Sequence, residues 1–273
     1  MEGGIAMSDT RPIGVFDSGL GGLSCIKTIC KRMPNENVVY FGDTARTPYG
    51  DKARDTIMRF AIQIVEFLAH QDVKMILIAC NTVSALCTDI LREKFPSIPI
   101  ISIIEPTVQH IAENRLKNVG IIATHATIKS GVYKRQLQAR GIDSCSKACP
   151  VFVPLIENGF WEGKVIETVA HYYLDSFIET NSVENLVLGC THYPFIQETI
   201  GELYPTVNFV NPSRIVVEEV IRVLNENDLC APQDAAGVRK FFASDLSDGF
   251  LNMIRKVTQD DAADAEFAQV SDI

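Results

Sequence analysis

Two cysteines, 110 residues apart in a chain of 273, carry the clearest chemistry in the sequence. The run VKMILIACNT (73–82) is mostly apolar up to Ala79 and then gives Cys80, Asn81 and Thr82. The run VENLVLGCTH (183–192) repeats the plan with Gly189, Cys190, Thr191 and His192. Each reads as a buried strand that delivers a thiol at its C-terminal end, followed by polar residues suited to opening a helix. Ligands bind at that end of the strands in open α/β sheets. Two thiols presented in this way, one from each half of the chain, can address one substrate from two sides.

A thiol is a poor base while it is protonated. Half-ionisation at neutral pH needs a fall of roughly 1.5 units from about 8.5, which costs about 2 kcal/mol. A helix N-terminus supplies about 0.3–1 kcal/mol, and up to about 2 when partly buried. Donors on Asn81, Thr82 and Thr191 add to this. A carboxylate from Asp17 would act in the opposite direction on Cys80, which suits it to accept the thiol's proton; His192 suits the same part beside Cys190. The other six cysteines (Cys25, Cys30, Cys87, Cys145, Cys149 and Cys230) read as packing residues, because cysteine is among the most buried residue types.

Asp17 opens the loop Asp17-Ser18-Gly19-Leu20-Gly21-Gly22, which follows a strand and precedes a helix. Backbone N–H groups in such a loop can cradle an anion. GLGGLS lacks the third glycine of a dinucleotide fingerprint, and an acidic residue at the loop's start disfavours a pyrophosphate. Asp17 therefore either holds an ammonium group, hydrogen-bonds a neighbouring thiol, or only caps the following helix. There is no CxxC pair, and Cys25/Cys30 and Cys145/Cys149 lack histidines at zinc-ligand spacing, so a metal site is not expected. No signature of a Schiff-base lysine is evident.

The elements that must position these groups alternate strand and helix almost throughout, which implies parallel sheets covered by helices. Strands are expected at 13–17, 38–43, 73–79, 118–124, 149–154, 185–189 and 240–244. Helices are expected near 23–33, 53–70, 83–95, 127–140, 162–180, 194–203, 213–226 and 247–257. The stretch at 96–106, in which prolines flank a short strand, and NFVNP at 208–212 read as crossings between two similar α/β lobes. One lobe comprises 1–102 plus 212–273 and the other 103–211, with the cysteine strands facing across a cleft. The acidic, alanine-rich tail from Thr258 is expected to fray at its end.

Composition bounds the role. A hydrophobic content of 47% and a charged content of 22% belong to a soluble globular protein. A net charge of −9 argues against nucleic-acid binding as the main task. No stretch is long and apolar enough to span a membrane. MEGGIAMSDTRP at the N-terminus lacks the basic segment and apolar core of a secretion signal, and Met7 is a plausible natural start. A cytoplasmic protein with reduced thiols is the expectation.

The motifs DSGLGGLS (17–24), GDTARTPYG (42–50), ACNTVSA (79–85), IIEP (103–106), ATHATIKSGVY (123–133), PLIE (154–157) and GCTHYP (189–194) occur together and in order. In these the chain closely resembles the bacterial glutamate racemase family; Ala123, where the family usually has glycine, is one departure. The resemblance implies a two-lobed fold with pseudo-twofold symmetry and no cofactor. It implies interconversion of L- and D-glutamate, with Cys80 acting on the D and Cys190 on the L enantiomer. Asp17 would assist Cys80, and His192 would assist Cys190. Ser18, Asn81, Thr82 and Thr191 would bind polar groups of the amino acid, and Tyr49 and Gly50 would offer backbone donors to a carboxylate. Thr124 and Thr127 would contribute from the second lobe, with Glu157 near the site. A homodimer that supplies D-glutamate for peptidoglycan is also implied. Rival expectations are an aspartate racemase, which shares the two-cysteine plan, and an amino-acid-binding protein without catalysis.

Overall fold

The computed structural model describes residues 8–234 and 236–270. Two parallel sheets carry the chain. The first is built from β1 (Ile13–Asp17), β2 (Val38–Gly42), β3 (Met75–Ile78), β4 (Ile100–Ser102), β9 (Arg239–Ala243) and β10 (Glu266–Phe267), in the order β10-β9-β2-β1-β3-β4. The second holds β5 (Val119–Ala123), β6 (Ser144–Ala148), β7 (Asn185–Gly189) and β8 (Asn208–Val210), in the order β6-β5-β7-β8. Every strand pair in both sheets is parallel. The central strands read as continuous apolar runs because helices cover both of their faces, and IGVF and MILI are buried throughout.

In each sheet the strand order reverses beside its first strand. β1 has β2 on one side and β3 on the other, and β5 is flanked in the same way by β6 and β7. Crevices form at such reversals, outside the carboxyl ends of the strands. Asp17 ends β1 and Cys80 follows β3; Thr124 follows β5 and Cys190 follows β7. The repeated strand endings in the sequence thus mark equivalent points of two sheets. One apolar cluster runs through both lobes, joining Val15 and Leu77 of the first sheet to Ile121 and Val187 of the second. Helices Ile104–Glu113 and Pro212–Glu226 pack together where the chain crosses between the sheets.

Several expectations need correction. The strand expected at 149–154 is displaced: Ser144–Ala148 forms the strand, and Phe152–Glu157 is a helix. The real strand is a half-exposed edge strand, so its sequence, SCSKA, lacks an apolar signal. The apolar run after it packs as a helix whose Pro154 sits in the first turn, where a missing N–H costs nothing. The short strand expected in the crossing at 96–106 is β4, but the crossing then begins an unexpected helix, Ile104–Glu113, whose first amide donates to Ser102 Oγ at 3.2 Å. The helix expected at 127–140 is two, His125–Ser130 and Val132–Gln138, divided by Gly131 at φ +66°. The tail returns as β10 on the edge of the first sheet. The expectations for the first six residues, for Met7 and for the last three of the tail lie outside the described residues.

Candidate active site

Cys80 and Cys190 line one small cavity between the lobes. Ser18, Tyr49, Gly50, Asn81 and Thr82 line it from the first lobe, and Thr124, Thr191 and His192 from the second. Asp17, Thr127 and Glu157 stand one layer behind, each touching a group nearer the cavity. The cavity measures about 20 Å³. A single water needs roughly 10–15 Å³ by the same measure, so the two lobes are closed on each other.

Cys80 caps the helix Asn81–Lys94, and its residue is 3% exposed. Its sulfur donates to Ser18 Oγ at 3.6 Å. Burial pushes the thiol up to about 12, and the Asp17 carboxylate adds to that, while the Val83 amide and the Ser18 hydroxyl oppose it. Cys80 is therefore held as a thiol here, a proton donor. Asp17 is itself fully buried, and burial raises its carboxyl. Its oxygens accept from the Gly19 amide and from the Thr191 hydroxyl of the other lobe, both at 3.1 Å. It reaches Cys80 through charge, while its hydrogen bonds serve the loop and the opposite lobe.

Cys190 meets a different environment. Its sulfur lies 3.7 Å from His192 Nδ1, and His192 Nε2 lies 3.0 Å from Glu157 Oε1. Burial works against a charged imidazole, but hydrogen bonds and the negative character of Cys190 and Glu157 outweigh it and raise His192 to about 10. An imidazole whose charged form is favoured thus stands between a carboxylate and the Cys190 sulfur, an arrangement suited to moving a proton at the sulfur. Gly21 of the first lobe allows this: a Cβ there would sit 2.5 Å from His192 Nδ1 and from Thr191 Oγ1.

Three hydroxyls join the lobes on the cavity's other side. Thr82 lies 3.0 Å from Thr124, and Thr124 lies 3.1 Å from Thr127. Thr124 caps helix His125–Ser130, and the Ala126 amide donates to Gly50 O at 3.0 Å across the cleft. The phenol of Tyr49 donates to Asp43 Oδ2.

Some residues at the site were not foreseen. Thr47 and Pro48 line the cavity, and Thr47 donates to Glu157 Oε1 at 3.4 Å. Both stand in the TPYG stretch beside Tyr49, which was the available signal. Val153 also lines the cavity. Reading its segment as a strand concealed it. Tyr133 donates to Asn81 Oδ1 at 2.7 Å from the second lobe, a pairing without local signal. Among the described residues no three His, Cys, Asp or Glu side chains gather to hold a metal ion, and no helix is long and apolar enough to cross a membrane.

Residues 17–220 match the family model described as Asp/Glu/Hydantoin racemase. The chain is 38% identical over 247 residues to a glutamate racemase of Geobacter metallireducens, covering 89% of this chain and 91% of that one. It is 42% identical over 228 residues to one of Thermus thermophilus, covering 83% and 85% of the two chains. The crystal structure of a glutamate racemase from Francisella tularensis in complex with D-glutamate superposes with a TM-score of 0.89 at 40% identity, covering 96% of this chain and 98% of that chain. The chain belongs to the Asp/Glu/Hydantoin racemase family, within its glutamate racemase group.

Proposed function

We propose that the protein interconverts L- and D-glutamate without a cofactor, using Cys80 and Cys190 as the two acid–base groups. The observation that carries this reading is that one cavity between the lobes is lined by both thiols. In one direction the sulfur of one cysteine, as thiolate, takes the Cα proton. The carbanion electrons stay on Cα and its carboxylate, and the thiol of the other cysteine gives a proton to the opposite face. The cysteines end with their protonation states exchanged, so the reverse reaction runs from the product state.

The groups behind each thiol fit those roles. Asp17 takes the proton of Cys80 when that cysteine must act as base, and its raised carboxyl brings it closer to such an exchange. His192, oriented by Glu157, does the same for Cys190. Donors on Asn81 and from the Thr82–Thr124–Thr127 cluster suit a carboxylate, and a dry, closed site strengthens every such contact. Closure requires the lobes to move as units. We place the boundaries at 102/103 and 211/212, consistent with six strands drawn from 13–102 and 239–267 and four from 119–210. A cytoplasmic homodimer supplying D-glutamate for peptidoglycan completes the reading, and light scattering of the purified protein tests the dimer.

The deciding experiment incubates the purified protein with L-glutamate in D₂O without additives. Circular dichroism of the amino acid should decay to zero, and deuterium should enter Cα. L-Aspartate should remain unchanged under the same conditions. Tight glutamate binding without exchange at Cα would overturn the reading in favour of a binding protein.

A further inference from the structure

Asn81 opens the helix that follows Cys80, and its side chain is divided between two surroundings. Its Oδ1 accepts from the Tyr133 hydroxyl at 2.7 Å, both groups being buried. Its Nδ2 is buried and has no hydrogen-bond partner among the described residues, although Asn81 lines the cavity with the two cysteines. An unsatisfied buried amide N–H destabilises the fold, so such a group calls for a partner. Tyr133 stands on helix Val132–Gln138 of the second lobe and is 3% exposed.

We propose that Tyr133 is a positioning residue that fixes the Asn81 carboxamide with its NH₂ directed to a carboxylate oxygen of the bound amino acid. A carboxamide can turn over and offer either its oxygen or its nitrogen to the same place. A phenol that donates to the oxygen selects one of these. The nitrogen then faces the cavity as a donor, which a carboxylate can satisfy and an ammonium cannot. Burial raises the Tyr133 hydroxyl, so it remains a donor across the working pH range. Because Tyr133 belongs to the opposite lobe, the donor is set only when the lobes are together. The amide is thereby selected by closure, and an open cleft leaves it free to turn.

The inference rests on the racemase reading and fails separately from it: absent exchange in the unaltered protein sinks the racemase, whereas the variants below bear on the Tyr133–Asn81 pair. Tyr133→Phe removes one oxygen and keeps the ring. It should raise KM for both enantiomers about tenfold while kcat falls by less than about threefold, the pattern of lost ground-state binding. Asn81→Ala should raise KM at least as much, and adding Tyr133→Phe to it should change KM no further. Asn81→Asp, which keeps the acceptor for Tyr133 and removes the donor, should also raise KM about tenfold or more. An unchanged KM in Tyr133→Phe, or losses that add in the double variant, would overturn the proposal. If Tyr133→Phe does not fold, a normal KM in Asn81→Asp overturns it and a raised one supports it.

Discussion

The two thiols terminate stretches of the same apolar pattern, yet the structure equips them differently. Cys80 caps a 14-residue α-helix and leans on the Ser18 hydroxyl, with a buried carboxylate nearby. Cys190 leads instead into a 3-10 turn, Tyr193–Ile196, with a proline at its start, and it leans on an imidazole backed by Glu157. One lobe therefore supplies a helix end and an acid, the other a cationic relay. A symmetric reaction, in which each thiol must both give and take a proton, is served by two unlike solutions grafted onto equivalent points of related sheets.

The comparison is tested most severely at the sulfurs themselves. Cys80→Ser and Cys190→Ser should each lower racemisation by about 10³-fold or more, since both proton transfers are required, measured by circular dichroism with either enantiomer. A variant that kept near-normal turnover would show that its thiol is not an acid–base group. Next in size is Glu157→Gln, which weakens the hold on His192 and should reduce kcat about tenfold. Ser18→Ala, on the weaker contact of the other side, should cost only about threefold. Equal losses in the two variants would erase the difference between the sites.

The same contrast has a signature in stability. His192 is raised in the folded protein to about 10 from an ordinary 6.5. A group raised in this way stabilises the fold fully below the lower value and loses that contribution as pH climbs through the higher one. The unfolding free energy should therefore fall between about pH 6.5 and 10, by at most about 1.4 kcal/mol per pH unit from this group, and Tm with it. Cys80, raised to about 12, has the same sign but acts only above its ordinary 9.0. Thermal melts across that range should flatten below pH 9 in Glu157→Gln and remain unchanged there in Cys80→Ser. A flat profile in the unaltered protein would refute the charged imidazole.

Much of this was legible because β1, β3, β5 and β7 are covered on both faces, so that apolar runs stood out and the polar residues at their ends were conspicuous. Asp17, Cys80 and Cys190 follow from that pattern, whereas Thr124, at the end of β5, was named from the family motifs. Glu157 and Thr127 were named from the family motifs, yet what they touch depends on packing between the sheets. Val153 was lost because an apolar helix turn beside an edge strand of polar residues imitates a strand. Tyr133 was lost for a different reason. Its partner is 52 residues away on the other lobe, and no local pattern encodes such a pairing.

The cavity of about 20 Å³ has a consequence for affinity. No five-carbon amino acid enters a space of that size, so Asp17–Thr191, Tyr133–Asn81 and Ala126–Gly50 must part before substrate is admitted. The shut, empty form then competes with glutamate for the protein. Apparent affinity is lowered by the fraction of molecules held shut. A contact made only in the empty, shut form lowers affinity in this way, whereas Tyr133–Asn81, which re-forms around bound substrate, does not.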